Sequence, residues 1–333
     1  MKSLSLIILS ALLPAAGPAL KRFQYAEPHM GTRFEIILYA ADEATARQAS
    51  GAAFARIASL DASMSDYRPA SELMRLCAKA GGPPVRVSDE LFVVLKRAEE
   101  VSRRSGGAFD VTVGPVVRLW RRARRTQKLP DRDQLARALA LVGYKNVRLD
   151  ARAQTVQLLK PGMQLDLGGI AKGYAADEAL KALKKHGVTR ALVAAGGDVA
   201  VSGPPPGAEG WSIAVAQLAG VEKAAPGKLI LHDAAVSTSG DASQGVEIDG
   251  KRYSHIVDPR TGIGLIGRMG VTVVAPDGIT ADSLTKVVAV LGPTKGIPII
   301  QETPGVSARV VRRTDEGAET VVSKGFPKLR PLD

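Results

Sequence analysis

Apolar residues recur at helical spacing in several stretches of the chain. One follows Asp42, which is suited to cap a helix with apolar positions at Ala46, Ala49, Ala53, Ile57 and Leu60. A second follows Ser88 and ends at Gly106 and Gly107, because serine favours helix starts and glycine favours helix ends. Further helices are predicted over 130–143, 170–186 and 281–291, with Gly292 beyond the last.

Other stretches alternate apolar and polar residues, the period of a strand with one buried face. The clearest is 246–258, where Asp249-Gly250 predicts a two-residue type I′ hairpin. Strands are also predicted over 32–40, 155–159, 163–167 (paired with 155–159), 191–203 around a glycine pair, 211–216, 228–238, 269–275, 304–311 and 318–323. Helices and strands do not alternate steadily, so we predict an α+β fold with mixed, largely antiparallel sheets and flanking helices.

The first residues form a different pattern. Lys2 precedes an apolar run of 4–13 and then small residues, which is the layout of a secretory signal. We predict a signal peptide over 1–19, either cleaved or retained as a membrane anchor, followed by a single domain over 20–333. The expected location is periplasmic or secreted.

Charge adds one constraint. The chain has 333 residues, 45 Lys and Arg against 33 Asp and Glu, and a net charge of +12. This charge is compatible with loose association with an anionic membrane surface or with an anionic substrate. No zinc-finger or RNA-binding signature accompanies it, so nucleic acid is not an expected partner. The densest basic run, 118–128, is interpreted as a solvated helix or loop.

The stretch 164–177, QLDLGGIAKGYAAD, carries the first candidate chemistry. Gly168 and Gly169 let a ligand approach the backbone, the helix that follows offers free N–H groups, and Lys172 adds a positive charge. These features suit a phosphate, although neither common nucleotide-binding glycine motif is present. The alternative is a turn that uses glycine only for its geometry.

Three further clusters are weaker on their own. Asp198 follows a second glycine pair, and STSGD at 237–241 groups hydroxyls with a glycine. His255 lies near a strand end and is a candidate general base, since the chain has only four histidines. Asp282 lies in the first turn of a helix, where it either complements the helix dipole or ligates Mg²⁺.

Taken together, eight motifs in order resemble the FAD:protein FMN transferase family, the ApbE-like proteins. They are HMGTRFEI, YRPASEL, GAFDVTVGPVVRLW, DLGGIAKGYAAD, AAGGDVAVSG, STSGD, IDGKRYSHIVDPRTG and ADSL. The resemblance implies a two-lobed, T-fold-like architecture with the site between the lobes. It also implies Mg²⁺-dependent transfer of FMN from FAD to a Thr or Ser hydroxyl of an acceptor protein, with release of AMP.

The same resemblance implies the site residues. Asp166 and His255 are the implied catalytic residues, and Gly169, Asp282 and Thr285 are the implied metal ligands. The implied FAD contacts are Met30, Tyr67, Ala108, Phe109, Asp110, Asp166, Lys172 and Val257.

One position departs from the family pattern. Lys286 stands where a threonine usually ligates the metal, and a protonated lysine cannot do so. Thr285 supplies the hydroxyl instead, or Lys286 points away, or its ammonium replaces part of the metal's charge. The alternative function is therefore an FAD-binding or storage protein, or an FAD pyrophosphatase, without transferase activity.

Overall fold

The computed structural model describes residues 19–215, 218, 227–240, 245–314 and 317–332. The predicted signal peptide, 1–19, lies outside these ranges except for its last residue, so it stays a prediction. Across the described ranges, none of the helices combines the length and apolar character that a membrane span requires.

An antiparallel sheet of eight strands is the centre of the fold, in the order β1-β2-β6-β7-β10-β14-β15-β16. Three smaller groups, β3-β5-β4, β8-β9 and β11-β12-β13, complete the strands of the described residues. The strands are β1 (Lys21–His29), β2 (Thr32–Ala40), β3 (Val85–Arg86), β4 (Val147–Asp150), β5 (Thr155–Leu158), β6 (Ala191–Ala195), β7 (Asp198–Val201), β8 (Trp211–Val215), β9 (Gly227–Leu231), β10 (Ala234–Gly240), β11 (Val246–Ile248), β12 (Lys251–Val257), β13 (Gly264–Ile266), β14 (Met269–Ala275), β15 (Ser307–Thr314) and β16 (Gly317–Val322).

Helices pack on one face of the large sheet and also form part of a separate lobe. They are α1 (Glu43–Met64), α2 (Glu72–Ala78), α3 (Asp89–Arg104), α4 (Gly114–Thr126), α5 (Arg132–Leu139), α6 (Ala171–Lys185) and α7 (Gly278–Gln301), with short 3-10 turns at Val111–Val113 and Tyr144–Asn146. Within α7, Gly292 leaves the helical conformation with φ 71° and ψ 172°, at the point where the sequence predicts the helix to end, and helical structure resumes after it and continues to Gln301.

Alternating side chains divide the large sheet between two apolar cores. In β6, Val193 joins the core beneath the helices and Leu192 joins the core beneath the β8–β9 hairpin. In β10, Ala235 and Val236 divide in the same way, as the two-residue period of a strand requires. The molecule therefore has helices on one face of the sheet and a hairpin on the other.

A third core belongs to a separate lobe, which consists of α4, α5 and the β11–β13 sheet. Trp120 of α4 lies 5.1 Å from the Tyr253 ring of β12, and its indole Nε1 donates to the Gly262 carbonyl at 2.8 Å. The predicted hairpin turn in this lobe is confirmed, since Asp249 (φ 51°) and Gly250 (φ 70°) both adopt left-handed backbone angles.

The strand predicted over 163–167 is wrong. Met163, Leu165 and Leu167 are buried, so the alternation in the sequence reports a real burial pattern. Its backbone, however, does not bond to a strand: the Leu165 amide donates to Cys77 Sγ of α2 and the Asp166 amide donates to the Val111 carbonyl of the 3-10 turn. The strand β5 pairs with β3 and β4 instead. The sequence analysis makes no prediction for the mostly exposed β1.

The first turns of α6 and α7 meet without intervening side chains. A Cβ atom at Gly173 would lie 2.0 Å from the Gly278 carbonyl oxygen, and one at Gly278 would lie 2.5 Å from the Gly173 oxygen. Asp177 of α6 also accepts hydrogen bonds from the Gly278 and Ile279 amides, at 2.7 and 3.0 Å. The two helix starts are thereby fixed to each other.

Replacing Gly173 with Ala should therefore lower the free energy of unfolding by about 3 kcal/mol or more, because the contact is with backbone that cannot yield. Gly51→Ala, on the exposed side of α1 with no atom within 4 Å of the added Cβ, is the matched control and should be neutral or stabilising by up to about 1 kcal/mol. Chemical denaturation of both variants measures the difference. Equal stabilities would contradict the close approach of the helices.

Candidate functional site

Several chain segments that carry predicted site residues meet at one end of the large sheet. Strand pairing places the start of β2, the end of β6, the start of β7 and the end of β10 together. The Met30-Gly31 turn joins β1 to β2 there, and Met30 has a φ of 48°, which is uncommon outside glycine. A Cβ at Gly196 would lie 3.3 Å from Thr32 Oγ1, so the second glycine pair lies beside this turn.

Lys172 projects from the first turn of α6 toward two carboxylates. Its Nζ forms an ion pair with Asp198 and lies 3.8 Å from Asp282 Oδ2. Burial alone would lower the pKa of Lys172, but the two carboxylates raise it above its ordinary value. The side chain is therefore an ammonium at any physiological pH.

Asp282 of α7 is fully buried, with 0% exposure. One oxygen, Oδ2, accepts from the Gly173 amide at 3.2 Å, and the other, Oδ1, forms an ion pair with the Lys286 ammonium. Burial alone would raise the pKa of Asp282, yet the ammoniums of Lys172 and Lys286 and the Gly173 amide hold it below its usual range. The carboxylate is therefore ionised and enclosed by positive groups.

The Lys286 side chain covers the glycine turn that precedes α6. A Cβ at Gly169 would lie 3.4 Å from Lys286 Cγ and 3.4 Å from Phe109 Cε2. The ammonium and stem of Lys286 are therefore inside the predicted metal site rather than outside it, and the Phe109 ring lies beside the same turn. Of the three arrangements of Lys286 that the sequence left open, this geometry corresponds to the ammonium within the site.

The Thr285 hydroxyl has hydrogen-bond partners other than the Asp282 carboxylate. Its Oγ1 donates to the Asp282 carbonyl oxygen at 2.7 Å and lies 2.9 Å from Ser239 Oγ of β10. No group of three or more His, Cys, Asp or Glu side chains arranged to hold a metal ion occurs in the described ranges. As they stand, Gly169, Asp282 and Thr285 do not fit a Mg²⁺ site, because the carboxylate is occupied by ammoniums and the hydroxyl is committed elsewhere.

His255 approaches from the smaller lobe, on β12. It is half-buried, and its Nδ1 has no hydrogen-bond partner within the part of the chain that the structure describes. Burial, with the charges of Lys286, Arg124 and Lys172, lowers the pKa of His255 from 6.5 to about 4. The imidazole is therefore neutral at pH 7 and free to accept a proton.

A second charged cluster surrounds Asp166. Arg121 of α4 donates to Asp166 Oδ2 at 2.7 Å, forms an ion pair with Asp66, and lies 4.3 Å from the centre of the Tyr67 ring. The Gly168 amide donates to Asp166 Oδ1 at 2.8 Å. Burial and the Asp66 carboxylate raise the pKa of Asp166, while Arg121 opposes them. Tyr67 is 72% exposed, so its ring is available to a ligand.

The basic run 118–128 is predicted to be solvated, but Arg121 within it is part-buried and pairs with Asp66 and Asp166, so sequence reasoning missed it. Arg121 and Arg124 are three residues apart on α4 and share a face of the helix, and both influence the site. That spacing, next to the buried positions Val116, Trp120 and Ala123 of the same helix, is the signal that could have separated them from the exposed arginines around them.

The remaining predicted FAD contacts are inside the protein. Asp110 accepts from the amide and hydroxyl of Thr112, at 2.8 and 2.6 Å, and from the Tyr144 amide at 2.7 Å. Its carboxylate therefore stabilises the conformation of the 108–112 loop through these hydrogen bonds. Ala108 and Val257 are buried, so they could offer a ligand only backbone atoms or a van der Waals surface. Their roles toward FAD stay predictions.

Comparison with known proteins identifies the family of this chain. The ApbE family model matches residues 30–310. The chain is 33% identical to an FAD:protein FMN transferase of Klebsiella pneumoniae (strain 342) over 314 residues, 93% of this chain and 95% of that protein. The chain therefore belongs to the ApbE family.

Solved structures agree on the fold. The flavin transferase ApbE from Vibrio cholerae has a TM-score of 0.83 at 28% identity and covers 92% of this chain and 99% of its own. The apo form of the Pseudomonas stutzeri flavinyl transferase ApbE gives 0.80 at 30% identity, with 92% and 95% covered. The predicted family and the predicted α+β fold are both confirmed.

The lowered pKa of His255 predicts a specific acid sensitivity. Between pH 6.5 and about 4 the unfolded chain binds a proton at this position and the folded protein does not. The stability that neutral His255 contributes is therefore complete above pH 6.5 and is lost as the pH falls toward 4, by roughly 3 kcal/mol at most. His255→Asn should flatten this part of the curve of unfolding free energy against pH.

His186→Asn is the control, because His186 is exposed at the end of α6 and its ring stays in water in both states. Urea denaturation at a series of pH values measures both variants and the native chain. An acid limb that persists unchanged in His255→Asn would show that His255 is not the group responsible.

Proposed function

We propose that this protein transfers FMN from FAD to a Thr or Ser hydroxyl of an acceptor protein and releases AMP. The observation that carries the proposal is a neutral imidazole, His255, whose Nδ1 has no hydrogen-bond partner among the described residues and whose pKa is lowered by burial and by the charges of Lys286 and Lys172. Membership of the ApbE family, whose relatives bear the name FAD:protein FMN transferase, supports the choice of substrate.

In the proposed reaction, the acceptor hydroxyl oxygen bonds to the phosphorus of the FMN half of FAD. The bond from that phosphorus to the bridging oxygen breaks, and AMP leaves with the bridging oxygen. His255 takes the hydroxyl proton, which its free ring nitrogen allows. Each atom of the diphosphate is then accounted for in AMP or in the new phosphodiester.

The two lysines supply positive charge where the diphosphate gains negative charge. Lys172 lies at the start of α6, so its ammonium adds to the positive end of the helix dipole. Gly168 and Gly169 leave the backbone of the preceding turn uncovered by side chains of their own. In this proposal, Arg121 holds Tyr67 and Asp166 in place, and the exposed Tyr67 ring meets the flavin.

A Mg²⁺ requirement was expected from the family resemblance. We assign no step to a divalent cation, because both oxygens of Asp282 already bond to donors and the Thr285 hydroxyl bonds to Ser239 and the Asp282 carbonyl.

The cellular setting of the proposal rests on the sequence. The segment 1–19 has the composition of a secretory signal, so we place the mature domain, 20–333, in the periplasm or outside the cell. The net charge of +12 would favour loose contact with an anionic membrane surface, where acceptor proteins could be met.

The test incubates the purified protein with FAD and a recombinant flavin-acceptor domain, with a second acceptor in which the target Thr is changed to Val. We expect AMP release and a fluorescent, mass-shifted acceptor only where the hydroxyl is present. His255→Asn should lower the rate by a factor of about 100 or more, as loss of a general base does. Lys172→Met should lower it by about tenfold or more.

Lys181→Met is the matched control on α6, since Lys181 is exposed and pairs only with Glu178 among the ion pairs of the described residues. Its rate should equal that of the native protein. AMP release without acceptor modification would indicate hydrolysis, and tight FAD binding with no AMP would indicate a binding or storage protein. Either result would overturn the proposed transfer.

A further inference from the structure

The Asp282 carboxylate would be the anchor of any divalent cation at this site, and an ammonium already holds it. Lys286 lies four residues after Asp282, on the same face of α7, and its Nζ pairs with Oδ1. The Lys172 ammonium lies 3.8 Å from Oδ2, and the Gly173 amide donates to the same atom.

We propose that the Lys286 ammonium is the resident cation of the phosphate site, so that the protein binds the diphosphate of FAD without a divalent metal ion. The inference rests on the proposed function for the identity of the ligand. It goes beyond that function by replacing the expected metal with a residue of this chain.

Packing keeps Lys286 in this position. Its side chain is 16% exposed, and its stem lies against the Gly169 turn, where the Phe109 ring also approaches. A metal ion that bound Asp282 would have to displace the ammonium from a fully buried carboxylate. It would also lie beside the Lys172 ammonium, which is 3.8 Å from Asp282 Oδ2 and would repel it.

Charge balance leads to the same conclusion. The carboxylates of Asp198 and Asp282 face the ammoniums of Lys172 and Lys286, so two negative charges meet two positive charges. The buried carboxylates are therefore neutralised by the chain itself, and burying Asp282 does not require a metal.

The ammoniums also retain donors for a ligand. Each lysine has three N–H groups, and Lys286 uses one of them on Asp282. Its remaining donors are available to a phosphate oxygen at the Gly169 turn, against which the stem lies, and its charge also acts on His255. The site thus retains the electrostatic role of a metal, while a lysine cannot supply a metal's open coordination positions.

The test compares FAD affinity, followed by flavin fluorescence, in EDTA and in millimolar Mg²⁺. The native protein should bind FAD with affinities that agree within about twofold in the two conditions. Lys286→Thr should lose about tenfold or more of its FAD affinity in EDTA and recover much of it with Mg²⁺. Lys286→Arg, which keeps the charge, should stay independent of metal.

Mn²⁺ titration followed by electron paramagnetic resonance gives a readout that does not depend on activity. In the presence of FAD, the native protein should leave the signal of free Mn²⁺ unchanged, and Lys286→Thr should deplete it by one ion per chain. Lys295→Thr is the control: it makes the same substitution on the same helix at an exposed position, and it should behave as the native protein.

Stoichiometric Mn²⁺ binding by the native protein, or loss of its FAD affinity in EDTA, would overturn the role of Lys286. If Lys286→Thr does not fold, the native protein and Lys286→Arg still decide the question. AMP release is scored separately: its absence with tight, metal-independent FAD binding would overturn the proposed transfer and support the role of Lys286. Absence of FAD binding in every condition would overturn both.

Discussion

The site depends on the side-by-side contact of two helix starts at Gly173 and Gly278. The two backbones are so close that a Cβ atom on either glycine would collide with the carbonyl oxygen of the other. The contact brings the Gly173 amide to Asp282 and Lys172 toward the same carboxylate. Burying an ionised Asp282 would be strongly destabilising without those donors. The backbone contact between the helices therefore also determines the electrostatics of the site.

The two lobes contribute different functional groups to the site. The large sheet and its helices supply the charged groups, namely Lys172, Asp198 and Asp282 with Lys286. The smaller lobe supplies His255 on β12. Low polarity and nearby positive charge keep this imidazole neutral, which makes it a proton acceptor at pH 7 but a weaker base than an exposed histidine. Bound diphosphate would offset part of that positive charge and raise the basicity when substrate is present.

Local signals predicted local structure well. The Asp249-Gly250 turn, the helix break at Gly292 and the caps at Asp42 and Ser88 follow from the conformational preferences of single residues, and the structure has each of them. The error at 163–167 arose because alternating burial does not specify a backbone partner. The sequence also did not predict the ion pairs of Arg121 or the Lys286–Asp282 ion pair. The position of a charged residue in the sequence does not show which carboxylate its side chain will contact. The family motifs predicted a set of site residues whose roles toward FAD stay predictions, and the ion pair of Lys286 with Asp282 is known only from the structure.

The most direct test of this account is a crystal structure of the protein grown with FAD and Mn²⁺, with anomalous diffraction used to locate the metal. The account predicts the Lys286 ammonium between Asp282 and the diphosphate, with no anomalous peak beside the Asp282 carboxylate. A Mn²⁺ peak coordinated by Asp282 and the Gly169 carbonyl, with Lys286 turned out of the cleft, would contradict it.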